Sequence, residues 1–138
     1  MDHKIEIGRI RQQLRVVSKS LFGKLYRLEV IAAIGATRDP IWSRGMAQAL
    51  HLPENQVSAE LKTLAKLGAL HDFPSQHDRR KLYQLAPHPL WIFVRTLLKE
   101  AVVDLYPDRA AEVLEAYWSE FGDVDGPRPV LPRERLTK

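Results

Sequence analysis

Pro53 sits between two short apolar periodicities, and that punctuation leaves residues 42–85 few ways to fold. Upstream, Met46, Ala47 and Leu50 recur at helical spacing, with Leu52 just past the end. Downstream, Val57, Leu61, Leu64 and Leu67 recur at steps of four, three and three, the buried face of a second helix. Pro suits the first position of a new helix, because the N–H it lacks has no intrahelical partner there. Ser43 is placed to cap the first helix, and Gly68 to end the second in a left-handed turn. The small Ala47 lets the two helices cross closely. His51 stands where Gly often ends the first helix, and His tolerates the left-handed conformation less well than Gly.

A hairpin is expected next. Ala69 to Phe73 reads as a short strand, Pro74 to Asp78 as turn chemistry, and Arg79 to Leu85 as an alternating return strand. Helices are expected on either side. Residues 4–21 carry Ile10, Leu14, Val17 and Leu21, and residues 22–34 carry Leu25, Leu28 and Ile31, with Gly23 at the junction. A long helix opens near Pro89, and another at Pro107 carries Ala110, Leu114, Tyr117 and Phe121. The Gly- and Pro-rich stretch 122–138 reads as a mobile tail. The organisation is therefore an N-terminal helix (1–21), a central domain (22–86), C-terminal helices (87–121) and the tail. The fold class is mainly α with a small β-hairpin: a helix-turn-helix with a wing, flanked by helices at both ends.

Composition narrows the function. A chain of 138 residues with 45% apolar content supports one globular core. It has no apolar run long enough for a membrane span, and its charged, periodic N-terminus is no secretory signal, so a cytoplasmic protein is expected. The absence of Cys removes disulfides and thiolate metal sites. The net charge of +4 is uneven: residues 1–28 hold seven basic groups against Asp2 and Glu6, while residues 107–138 hold five basic against seven acidic groups. A basic front half suits a polyanionic partner.

Gln56 to Leu70 resembles the recognition-helix signature shared by the ArsR and MarR groups of winged helix-turn-helix regulators. Asp78-Arg79-Arg80 followed by Tyr83-Gln84-Leu85 resembles their wing. The resemblance spans about Leu25 to Leu85. It implies a regulator of transcription that lays its second helix in the major groove of duplex DNA. The Cys pair of ArsR metal sensors has no counterpart here.

On this reading Asn55, Gln56, Ser58, Ala59, Lys62 and Thr63 form the face toward the bases, where amides pair with adenine and a methyl meets thymine. Arg79, Arg80 and Lys81 reach phosphates or the minor groove from the wing, and Arg44 a phosphate from the preceding helix. The seams Ile10, Leu14, Val17, Leu21 and Leu114, Tyr117, Phe121 are expected to join two copies into a homodimer on a palindromic operator. Packing of both ends within one chain is the alternative. A winged-helix module that binds protein and no DNA is the competing function; it would carry exposed apolar anchors on the recognition face. RNA is a third, weakened by the lack of a stacking platform.

No catalytic arrangement and no cofactor are expected: there is no Gly-rich phosphate loop and no nucleophile elbow. His71 and His77, each followed by Asp, match no compact metal-ligand spacing. Phe22, Tyr26, Trp91, Phe93, Tyr117 and Trp118 could line a small-molecule effector pocket between outer helices and core, although aromatics at helical spacing usually build core.

Overall fold

A computed structural model describes residues 3–37, 40–76 and 78–122. Six helices and one hairpin follow in order: α1 (Lys4–Phe22), α2 (Arg27–Ala36), α3 (Ser43–Leu50), α4 (Glu54–Leu67), β1 (Leu70–Pro74), β2 (Lys81–Leu85), α5 (Pro89–Leu105) and α6 (Ala110–Phe121). The expected mainly helical fold with a hairpin wing is what the chain adopts. His77 and the expected tail 122–138, apart from Gly122, lie outside the described residues.

Local chemistry sets most boundaries, and a few differ from expectation. Gly23 does not kink a continuous helix; at φ 70° it ends α1, its N–H bonded to the Lys19 carbonyl. The second helix therefore begins at Arg27 rather than at Phe22. Buried Ser18 ties the intervening turn, donating to the Lys24 carbonyl and accepting the Leu28 N–H. Ser43 is the first residue of α3 and caps nothing; its hydroxyl donates to Glu54 at 3.1 Å, while Trp42 takes the cap position. Pro53 caps α4, one position before the helix itself. The left-handed ends are as expected, at His51 (φ 57°) and Gly68 (φ 88°). Leu67 departs from its expected buried face and is 55% exposed, because the chain turns away at Gly68 and the apolar seat passes to Ala69 and Leu70. Pro107 does not start α6, which begins at Ala110 with Arg109 at its cap.

The hairpin pairs antiparallel, Leu70 with Leu85 through Pro74 with Lys81. Arg79 and Arg80 thus fall in the turn rather than on the return strand. Ile41 adds an isolated antiparallel bridge to β2: it exchanges backbone hydrogen bonds of 2.7 and 2.8 Å with Tyr83. At the other end of the hairpin the Trp91 indole donates to the carbonyls of Ala69 and Ala86, fixing α5 against the base of the wing.

One core runs through the described residues, from Ile7 to Phe121. α2 is its axis, with every residue from Leu28 to Ala36 buried, and α1, α5 and α6 pack around it. Ile10, Leu14 and Tyr117 are fully buried and Phe121 is 7% exposed, while Val17 and Leu114 pack partly buried against the same core. The seams expected to join two copies are largely covered within the chain, because α1 and α6 close over α2. Leu21 alone remains substantially open, at 53%. Inside this packing Glu29 is completely buried, and it accepts hydrogen bonds from Arg11 and, at 2.6 Å, from the Arg15 Nε. Arg11 also donates to the Leu50 carbonyl at the end of α3, so Arg11 together with the buried carboxylate links α1, α2 and α3. A buried charge is tolerable only when paired in this way.

Candidate nucleic-acid interface

The start of α3, one face of α4 and the hairpin turn enclose a groove of about 810 Å³. Arg44, Ser58, Lys62, Arg79, Arg80 and Lys81 line it together with Trp42, Ser43, Glu54, Asp78 and Tyr83. Glu54, Ser58 and Lys62 share a wall because a spacing of four repeats one face of a helix. Six of the expected contact residues are therefore brought together. The other four are not. Gln56 and Ala59 line a separate cavity of about 350 Å³ on the side of α4 that faces Lys24, Leu25, Tyr26 and Arg27. Asn55 and Thr63 are exposed but line neither, and the Thr63 hydroxyl donates back to the Ala59 carbonyl at 3.0 Å.

The groove carries five cations, and acids hold several of them. Arg44 lies 3.6 Å from Glu54, which also receives Ser43; Glu54 thus ties the beginning of α3 to that of α4. Arg80 meets Asp78 at 2.7 Å, and Lys81 meets Asp72 at 3.7 Å on the adjacent strand. The Arg80 backbone N–H also donates to Asp78 at 2.9 Å. That bond, with further help from Ser75 and from the Arg80 charge, holds the Asp78 carboxyl below its ordinary pKa. Such pairs, mostly open to water, fix side-chain direction more than they add stability. Glu60, behind the groove, pairs with Arg27 at 3.2 Å and joins α4 to α2.

Trp42 belongs to this site and was missed in the sequence. Its indole covers Gly45, where an added Cβ would come within 2.5 Å of the indole nitrogen. Arg80 stacks on the ring at 4.5 Å from its centroid, and Arg44 lies at 5.9 Å. The only trace in the sequence is a Trp three residues before a Gly inside a short helix, which by itself points to nothing.

The aromatic residues expected to line one effector pocket do not meet in one. Trp91, Tyr117 and Trp118 are buried as core, Phe93 is 45% exposed, and Phe22 and Tyr26 pack on the edge of the core. The space between Trp91 and Trp118 is about 10 Å³, no larger than a water requires. Among the described residues no group of three or more His, Asp or Glu side chains could hold a metal ion. No helix among them is long and apolar enough to cross a membrane.

No protein-family model matches the sequence, and no curated protein does. Solved structures do match the fold. The transcriptional regulator BldR from Sulfolobus solfataricus superposes with a TM-score of 0.56 at 18% identity, over 82% of this chain and 84% of that one. A MarR-family transcriptional regulator from Rhodococcus sp. RHA1 gives 0.56 at 14% identity, over 93% and 92%. The multiple antibiotic resistance repressor MarR gives 0.54 at 15% identity, over 83% and 84%. The chain thus has the winged-helix fold of MarR-type regulators, over more than four fifths of each.

Proposed function

We propose that this protein is a sequence-specific, double-stranded DNA-binding regulator of transcription. One observation carries the reading: α4 and the hairpin turn present Lys62, Arg79, Arg80 and Lys81, with Arg44 from α3, into a single groove. A recognition helix in the major groove with a wing on the flanking phosphates needs this arrangement. Ser58 and Lys62 face the groove and take the central contacts; Asn55, Gln56, Ala59 and Thr63 lie on α4 outside the groove lining and are not among those contacts. The matching fold of three solved regulators supports the same reading.

The competing reading, a protein-binding module without DNA contact, requires apolar anchors on this face. Tyr83 is buried, and Trp42 is occupied by Gly45 and Arg80. The large exposed apolar side chains lie mainly elsewhere, among them Ile5, Val16 and Leu21 on α1 and Ile92, Phe93 and Val103 on α5. A homodimer on a palindromic operator is part of the proposal, and these outer faces, rather than the buried seams, are where a second copy has apolar surface to cover.

Selection of the purified protein on a random-sequence duplex pool at two salt concentrations tests it. Enrichment of a palindrome that survives the higher salt is expected. Weak, salt-sensitive binding with no enriched motif would refute sequence-specific regulation. Sedimentation of the protein on the enriched site distinguishes one copy from two.

A further inference from the structure

Trp42 has a place in the fold that its neighbours explain only in part. Its backbone is locked to the wing, because Ile41 beside it shares two hydrogen bonds with Tyr83 of β2. Its ring lies close against α3 at Gly45, which offers no Cβ to push it away. It is also the half-buried member of the three Trp residues; Trp91 and Trp118 are 1% and 3% exposed. The surface it turns outward is covered by Arg80, whose Nε edge is held by Asp78. An indole face attracts a cation, and a planar guanidinium stacks on it better than an ammonium does.

We infer that Trp42 is a positioning residue for DNA binding: its indole is the platform that holds the wing's Arg80 against the groove wall, ready for a duplex phosphate. This deepens the DNA reading above and rests on it. A hairpin turn is ordinarily a mobile carrier, and an arginine on it loses rotamer freedom when it binds. Here that loss is met in folding, by the ring beneath and the carboxylate beside the guanidinium, so less is lost on contact. The same stack joins the wing to the start of α3, so helix and turn approach the duplex as one rigid surface.

The test is a double-substitution cycle on the full chain, read by anisotropy of a labelled duplex carrying the selected site. Arg80→Ala is expected to weaken binding about tenfold, and Trp42→Leu about threefold. If Trp42 acts through Arg80, the double variant loses about tenfold, not the product of roughly thirtyfold. Trp42→Phe, which keeps a ring face, should stay within about twofold of the parent. A readout free of DNA accompanies the cycle: Arg80→Ala should shift the NMR signal of the Trp42 indole N–H and leave those of Trp91 and Trp118 in place. Since Arg80 sits on an exposed turn, that variant folds even where Trp42→Leu does not.

Multiplicative losses, an unchanged affinity in Trp42→Leu, or an unmoved Trp42 signal would each overturn the inference while leaving DNA binding intact. Failure of the parent protein to bind any duplex would remove the DNA reading and this inference with it.

Discussion

Gly8 and Gly45 both lie inside helices, yet their surroundings are opposite. A Cβ at Gly8 meets nothing within 4 Å, whereas one at Gly45 would strike the Trp42 indole. Gly8→Ala should therefore stabilise the protein by about 0.5–1 kcal/mol in urea unfolding, the ordinary helix-propensity gain. Gly45→Ala should forfeit that gain and shift the Trp42 emission, since the ring has to lift. His51 is a third such position. It holds a left-handed conformation, φ 57° and ψ 45°, that disfavours any side chain. His51→Gly should raise stability by about 1 kcal/mol, measured by the same unfolding. His51 was legible as a departure from the Gly that often ends such a helix, and with it the left-handed conformation of that position. The constraint on Gly45 was not legible, because it comes from a side chain folded back over the helix.

Between elements, polar clasps do the joining that the apolar pattern leaves undone. His3 at the cap of α1 and Glu6 in its first turn meet Arg109 and Glu112 at the head of α6 in one connected set. The hydrogen bond from His3, and then the one from Arg109, hold the Glu6 carboxyl below its ordinary pKa. A carboxyl lowered by folding contributes in full above its unfolded value, about 4.3, and loses that contribution as the pH falls through the folded value. The parent should accordingly melt above Glu6→Gln at neutral pH, and the gap should close below about pH 4. Equal melting temperatures at neutral pH would show that the clasp adds nothing. No periodicity announces such pairs: Glu6 and Arg109 are a hundred residues apart in the sequence, and only the packing of α1 against α6 brings them together.

For the whole molecule, the decisive feature is that the first and last described helices, α1 and α6, close on one core. Leu14, fully buried, should behave as a core residue. Leu14→Ala should cost about 2–5 kcal/mol, with a loss in melting temperature that does not depend on protein concentration. A loss that grows on dilution would instead place Leu14 in an interface between copies. Glu29 makes the same point with charge. Glu29→Ala would leave Arg11 and Arg15 facing a buried gap, and it should destabilise by about 3–5 kcal/mol, read by thermal unfolding. Arg15, whose bond to Glu29 raises its pKa, stays charged in either protein at any ordinary pH. Among the described residues the buried Tyr117 hydroxyl has no hydrogen-bond partner, and its burial pushes its pKa up, so it stays neutral inside this core.

Periods of 3.6 and 2, read with Gly and Pro as stops, are local signals, so the sequence by itself determined α3, α4, the hairpin and the residue types of the groove. It also located the apolar seams of α1 and α6, because a seam needs no knowledge of its partner. What covers a seam is another matter. An apolar stripe is equally satisfied by its own chain or by a second copy, and only the tertiary structure decided that Ile10, Leu14, Tyr117 and Phe121 pack inward. The same holds at the groove. The basic residues were visible in the chain, but which of them share a wall depends on how α4 is rotated against α2, and that rotation is set by the core. Trp42 was beyond reach for the same reason: a platform exists only once the wing has folded back over α3.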